Sequence, residues 1–549
     1  MTLGCSRGAA PTKSLRVDPW ILVCRDPKIE TPAYLGNGSV GARIGRDGTV
    51  VEAMRLDSTK GLVDIDVQSG GLMYDGRRID VKRGERYSQT LDMKRGMLTT
   101  SWIQVLGGTQ LRIKNIRHDD APLESEWYVT SSQHGMFVDP AGRLHPLTAG
   151  RETLFIVGDR TEAPVQHGER PTITIEGSDA DTQAIQSFIY YLAHLVPSRG
   201  AATPFGPSNR TYGSDVFWDA DCWIVPALAL VYPDQAAETG RYRIKTYSGA
   251  KAYRYPWQSG PVGEDDSTGP TKKEEHTSAD VAWGLDFAAS LGLVDREDAE
   301  SVGRAVARHY LERVARVPDG KSEILDVTGV DEWFEGDDCL YTNAAADWAI
   351  KRFLGQDVNM GYPRNSSGEL VAYKGDPEKA YQQAAAPLIL WPLERDDLVA
   401  KPLEFLERFE GKDSPDGPAM SLSVYALIRA RYGDAEGAYK EWRESWMRYT
   451  EGNPLLLFSE RTGRRDLTYF ATGAAGCLNA VIYGFMGARI VDDTPKDEAK
   501  IALKDGRWLV FRPNLPAAWK RVTFTGLHVL GQRYTIVCER GSATIARAD

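Results

Sequence analysis

DADTQAIQSFIYYLAHLV (Asp179–Val196) is where the chain changes its period. Ile185, Phe188, Ile189, Leu192 and Leu195 recur three or four apart behind an aspartate at the cap position, the pattern of an amphipathic helix. Upstream, from about Val17 to Glu176, the text is strand-like. Runs such as "DGTVVEAMRL", "SWIQVLGG", "LRIKNIRH", "EWYVTSSQHG" and "PTITIEG" are short, alternating and punctuated by Gly, Asp and Asn, which predicts an antiparallel β-sandwich. Downstream, helical segments are read at Cys222–Tyr232, Ala236–Tyr247, Ser278–Leu291, Arg296–Val314, Asn343–Leu354 and Lys379–Trp391. Others follow at Leu398–Phe409, Met420–Tyr432, Ala435–Tyr449 and Thr472–Phe485. Short loops ("YPDQ", "YGDAEG") alternate with long ones, which suits helical hairpins closed into a ring with the long loops gathered at one rim. After Thr494 strands return in "RWLVFRPNLPAAWKRVTFTGLHVLGQRYTIVCERGSATI", a unit too short to bury a core alone. The organisation read is a disordered or processed start (1–16), a β-sandwich (17–178), a helical barrel (179–494) and a small C-terminal β-domain (495–549).

At 549 residues the chain is too long for one compact core, and its 42% hydrophobic and 26% charged residues are ordinary for a globular protein. A formal charge of −10 argues against a nucleic-acid binder, which needs basic groups to replace phosphate counterions. Fourteen Trp and twenty-four Tyr fit a carbohydrate protein, because aromatic faces pack the apolar faces of sugar rings; a large core uses them equally well. Six scattered cysteines without CxxC read as small core residues, and eight dispersed histidines without HExxH give no metal site. No metal and no cofactor are expected. No apolar run approaches the ~18 residues of a membrane span. The start, "MTLGCSRGAAPTKS", lacks a hydrophobic signal core, although "LGC" resembles the end of a lipoprotein signal. The compartment stays open: a soluble protein, extracytoplasmic if a signal was removed.

Three interhelical loops mix Trp, carboxylate and amide. In "YGSDVFWDADCW" (Tyr212–Trp223), Trp218 offers a ring to a sugar and Asp219 an acceptor to its hydroxyls; as openers of a helix, Asp219 and Asp221 are explained equally well as caps. "TGVDEWFEGDDCLYTN" (Thr328–Asn343) puts five carboxylates within eight residues, with Asn343 as the expected N-cap and Gly355 as the stop of the next helix. Asp331 and Glu332 are flanked by Val330, Trp333 and Phe334, and a carboxyl pressed against aromatics is desolvated into a general acid. Glu335, Asp337 and Asp338 are expected to be solvated or capping. In "NPLLLFSERTGRRDLTYFATGAAG" (Asn453–Gly476), Arg461, Arg464 and Arg465 would hold Glu460 ionised, as a general base needs; a surface salt bridge is the competing explanation.

Taken as an ordered set, "VFWDADCW", "RYPWQSGPVGED", "EEHTSADVAW", "VTGVDEWFEGDDCLYTN", "AYQQAAAPLILWPL", "FSERTG…FATGAAGCLNAVIYGFMG" and "RPNLPAAW" resemble family 65 of the glycoside hydrolases, from about Thr182 to Ile545. That family holds acid trehalases, kojibiose-type α-glucosidases, collagen glucosylgalactosyl-hydroxylysine glucosidases and inverting disaccharide phosphorylases. The resemblance implies an (α/α)6 barrel between β-domains, Glu332 as general acid, and Glu460 as the general base that distinguishes the hydrolases from the phosphorylases. It also implies that Trp218, Asp219, Trp257 and His276 hold the glucosyl unit, with Asp331, Trp333, Gln258, Gln382 and Gln383 around them. This chain departs from the family at Gln258, where a Glu is usual, and at Gln382-Gln383-Ala384-Ala385, where Lys-Gln-Ala-Asp is usual. One change loses an anion and the other a cation, so their joint loss is electrostatically consistent if the two normally pair.

The reading is therefore an inverting, exo-acting α-glycosidase of α-glucosidase type, acting on an α-linked disaccharide or a glucosylated terminus. Inversion needs the two carboxyls about 6.5–9.5 Å apart. The alternatives are a phosphorylase using inorganic phosphate and a catalytically silent carbohydrate binder. The expected partner is a small carbohydrate, with no nucleic acid and no membrane span, and a homodimer is compatible with the sequence.

Overall fold

The computed structural model describes residues 18–57, 59–67, 70–158, 170–197, 199–464, 469–496 and 498–548. The expected leader at 1–16 lies outside them.

The strand-like region forms antiparallel sheets. A six-stranded sheet runs in the order Ile21–Cys24, Glu85–Asp92, Met97–Leu106, Thr109–His118, Ala121–Ser131 and Glu152–Val157. Its alternation is visible in Thr109–His118, where Leu111 and Ile113 are buried while Gln110, Arg112 and Lys114 are exposed. A four-stranded sheet, Ala33–Gly36, Val40–Ile44, Val50–Asp57 and Gly61–Asp64, packs against it over Leu35, Ala42, Trp127 and Val129. The last strand of the region, Thr172–Glu176, leaves these sheets and pairs with Arg521–Val529 near the other end of the chain. Ala488–Val491 likewise pairs with Trp508–Phe511 in a second C-terminal sheet.

Between them lie the helices: α1 (Asp179–Leu195), α2 (Val225–Ala229, entered through a wide π-type turn at Ala220–Ile224), α3 (Pro233–Thr246), α4 (His276–Ser290) and α5 (Arg296–Arg313). They continue with α6 (Leu340–Leu354), α7 (Pro402–Glu407), α8 (Ser421–Arg431), α9 (Ala435–Met447) and α10 (Ala471–Asn479). One set passes contacts around a closed circuit: α2 to α4, α4 to α6, α6 to a 3₁₀ turn at Ala386–Ile389, that turn to α8, α8 to α10, and α10 back to α2. The others pack outside it, α3 and α5 on α4, α9 on α8 and α1 on α10. Burial follows position. Every residue of α10 is buried, whereas α9 buries only Ala438, Trp442, Ser445 and Trp446, one stripe at helical spacing.

Four sequence expectations are corrected. The cap of α1 is Ser178, whose hydroxyl accepts from Asp181 N at 3.2 Å, while Asp181 itself is buried against Trp519 and Tyr439. Lys379–Trp391 is no helix: Ala380 has φ +58, Pro387 interrupts the run, and its glutamines bond sideways to another loop. Leu398–Phe409 shortens to α7 because Pro402 forces Lys401 out of helical geometry (φ −134, ψ 83). Asn343 does not cap α6, which starts at Leu340. It is buried in the first turns, accepting from Ile324 N and donating to Asp338 and to the Gly361 carbonyl. Gly355 does stop α6, in the left-handed region at φ 64. Cys24, Cys222, Cys339, Cys477 and Cys538 are buried free thiols.

Candidate active site

Segments from several parts of the chain border a cavity of about 120 Å³. Local pairing explains how they meet. Val216–Phe217 pairs antiparallel with Gln258–Ser259, which brings Trp257 beside Trp218 and Asp219. Phe217 and Trp257 pack edge to face at 4.9 Å. Val327–Thr328 pairs with Glu335–Gly336, so the acidic run is a tight hairpin presenting Glu332 at its turn. The Gln382-Gln383 segment is stitched onto that turn. Gln382 N donates to Asp331 Oδ1 (3.0 Å), Gln382 Nε2 to Glu332 Oε2 (3.0 Å) and Gln383 Nε2 to the Val330 carbonyl (2.8 Å). Another segment carries Glu460, anchored by Ala419 N donating to its carbonyl at 2.8 Å.

Trp218, Asp219, Trp257, Glu332, Gln382, Gln383 and Glu460 all line this cavity. Burial pushes the Glu332 carboxyl above its ordinary range, opposed by the Gln382 hydrogen bond and the positive His276 ring. Glu460 is also raised by burial. Tyr212 and Arg461, with Arg464 behind, oppose that shift. Arg465 lies outside the described residues. Tyr212 Oη donates to Glu460 Oε1 at 2.9 Å, and Arg461 Nε stands 3.5 Å from the same oxygen. Glu460 Oε2 is buried and receives no hydrogen bond among the described residues. The Asp219 carboxyl is pushed up to about 6 by burial; Thr472 donates to Oδ2, and Oδ1 has no partner among the described residues. Asp221, two residues on, turns away into a fully buried ion pair with Arg243 at 2.7 Å.

Other expected site residues sit elsewhere. His276 does not line the cavity. It is buried beneath Trp218 (edge to face, 4.9 Å) between Asp280 at 2.7 Å and Glu274 at 3.0 Å. Burial opposes its charge, but the two carboxyls outweigh it and raise the ring to about 9. Asp331 is buried and holds the Gln382 backbone. Trp333 is 61% exposed and outside the cavity, and Phe334 stacks on Tyr373 at 3.6 Å, so neither desolvates Glu332. Gln258 donates to Asp215 while Gln382 donates to Glu332, so the two substituted positions do not pair. Asp338 is not solvated: it is buried on Asn343, and burial raises it to about 7. Tyr212, Phe217, Met420 and Phe470 complete the cavity wall without having been singled out. Tyr212 and Phe470 do fall inside the Trp-rich and Gly-rich stretches read as site loops. Among the described residues no cluster of His, Cys, Asp or Glu is arranged to hold a metal ion, and no helix is long and apolar enough to cross a membrane.

Two carboxyls, Glu460 buried and Glu332 half-buried, facing one aromatic-walled cavity are the equipment of the glycoside hydrolases. Residues 192–381 match the glycosyl hydrolase family 65 central catalytic domain, and residues 503–549 match that family's C-terminal domain. The chain thus carries matches to both the catalytic and the C-terminal domain of glycosyl hydrolase family 65. Glu332 falls within the first match and Glu460 between the two. The chain is similar to a kojibiose hydrolase of Mucilaginibacter mallensis, 28% identical over 72% of this chain and 62% of that protein. It is also similar to a protein-glucosylgalactosylhydroxylysine glucosidase of Danio rerio, 25% identical over 69% and 63% respectively. The chain thus spans about three-fifths of the length of these relatives. A solved structure provisionally described as a kojibiose phosphorylase from human microbiome shares the fold at TM-score 0.72, with 13% identity over 97% of this chain and 96% of that one.

Proposed function

We propose that the protein is an inverting, exo-acting α-glucosidase, built on an (α/α)6 barrel, that hydrolyses an α-linked disaccharide or a glucosylated terminus. One observation carries this reading. Glu460 has one carboxylate oxygen held by Tyr212 and the other buried without a partner among the described residues, in the same cavity as a Glu332 whose carboxyl burial raises. The cavity suits a single sugar ring. Trp218 and Trp257 supply aromatic walls for its apolar faces, and Asp219 Oδ1 accepts from a hydroxyl.

Glu332 gives its proton to the glycosidic oxygen as the bond to the anomeric carbon breaks through an oxocarbenium-like state. Glu460 Oε2 takes a proton from a water that attacks that carbon from the opposite face. The departing sugar leaves as an alcohol, the retained one with inverted configuration, and exchange with solvent returns both glutamates to their starting states. A phosphorylase has no use for a carboxylate where phosphate must sit, so Glu460 favours water as the acceptor.

A proton NMR time course on kojibiose, trehalose, nigerose, maltose and isomaltose, with and without phosphate, tests this. Kojibiose heads the series because it is named in the M. mallensis relative. Early β-glucose without phosphate is the expected result. Early α-glucose would refute inversion, and β-glucose 1-phosphate formed only with phosphate would make the protein a phosphorylase.

A further inference from the structure

Tyr212 sits in the left-handed region at φ +62, a conformation that a bulky residue rarely adopts. The surroundings hold it there. Asn209 Oδ1 accepts from both the amide (2.8 Å) and the hydroxyl (2.7 Å) of Thr211, and Gly213 N closes a turn onto the Arg210 carbonyl at 2.9 Å. The ring is wedged between Phe205 and Phe217, at 6.0 and 5.4 Å. The loop is also fastened to the N-terminal β-region. Arg210 pairs with Asp64 and lies 3.4 Å from Glu52, both on the hairpin Val50–Asp57/Gly61–Asp64. On the same hairpin Gly61, at φ +75, lies so close to Ser214 that a Cβ would collide with its hydroxyl.

We propose that Tyr212 is the positioning residue of the general base. Its phenol pins Oε1 of Glu460 and leaves Oε2 with no partner among the described residues, and the N-terminal hairpin holds that phenol in place through the 209–215 loop. This rests on the reading of Glu460 as base. Tyr212 keeps its own proton throughout: burial and the adjacent Glu460 push the phenol up, so it donates a hydrogen bond without ionising. The proton taken from water goes to Oε2. The N-terminal β-region is therefore part of the catalytic apparatus.

The test compares wild type, Tyr212→Phe, Gly61→Val and Glu460→Gln by kcat, KM, pH profile and thermal melting. Phe keeps the ring and removes only the donor. Loss of a donor to a carboxylate raises that carboxyl, so the acid limb of activity moves to higher pH. The expected result for Tyr212→Phe is kcat lowered at least ~10-fold, part of the 10²–10⁴-fold that a positioned base supplies. KM should stay close to wild type and the acid limb should move up. Gly61→Val, which disturbs the loop from outside the cavity, should show the same signature more weakly, and it decides the matter if Tyr212→Phe does not fold. Wild-type kcat with an unmoved limb, or a lowered kcat with an unmoved limb, would overturn the proposal. A fully active Glu460→Gln would remove the base assignment itself, and is read separately from the tyrosine variant.

Discussion

The loop bearing Glu332 and the loop bearing Glu460 present the same functional group to the same cavity, and burial raises both carboxyls. They differ in what holds them. Glu332 is met by a neutral amide, Gln382 Nε2 at 3.0 Å, on a hairpin stitched to its neighbour by hydrogen bonds whose donors are all uncharged. Glu460 is met by a phenol at 2.9 Å and a guanidinium at 3.5 Å on the same oxygen. Burial alone does not separate an acid from a base. In the proposed mechanism the neighbours do, because among the described residues Glu460, and not Glu332, has a cation in direct ion-pairing range.

The strongest way to break this comparison is to neutralise each side in turn. Glu332→Gln and Glu460→Gln should each lower kcat by about 10²–10⁴-fold while the melting temperature stays near wild type. Near-normal turnover in either would remove that residue from its role. Asp219→Asn comes next. It replaces a buried acceptor of charge-assisted hydrogen bonds, worth about 1.5–3 kcal/mol, so kcat/KM should fall by roughly 10–150-fold in steady-state kinetics. The comparison sharpens if Glu332 is given a cation in direct contact. In Gln382→Lys the ammonium would stabilise the Glu332 anion and lower its pKa. Because this group must be protonated to act, the alkaline limb of the pH–rate profile should move down by about one pH unit or more. An unmoved limb would dissociate that limb from Glu332. Trp333→Ala should do least: the side chain is exposed and off the cavity, so activity should change less than about twofold and stability by less than about 0.5 kcal/mol.

Much of this was legible in the sequence, and the limits have physical reasons. The change of period at Asp179 is real: a strand of alternating burial, Thr172–Glu176, gives way to α1, although α1 is buried nearly all round instead of along one amphipathic face. Trp218, Asp219, Trp257, Glu332, Gln382, Gln383 and Glu460 do border one cavity. The family resemblance sets His276 with the glucosyl-binding residues and Trp333 around them. A helix N-terminus turns His276 inward beneath Trp218, and a tight hairpin turns Trp333 outward. Lys379–Trp391 looked helical because its alanines and leucines carry high propensity, but hydrogen bonds from its glutamines to the Glu332 hairpin override a weak local preference. Tyr212 could not have been ranked from sequence, since its role depends on a left-handed backbone angle and on a contact with a residue 248 positions away.

The pairing of Thr172–Glu176 with Arg521–Val529 has a consequence for biosynthesis. The side chains of Glu176 and Arg521 meet across a sequence separation of 345 positions, so this sheet encloses the entire helical region as one loop. Closing such a loop is entropically slow, and contacts of this range set folding rates. The early strand, with Ile173 and Ile175 destined for burial, leaves the ribosome long before its partner exists. Until residues 521–529 are made it is an unpaired, apolar edge. The period between those two events is when the nascent chain is most exposed to misassociation and most in need of a chaperone.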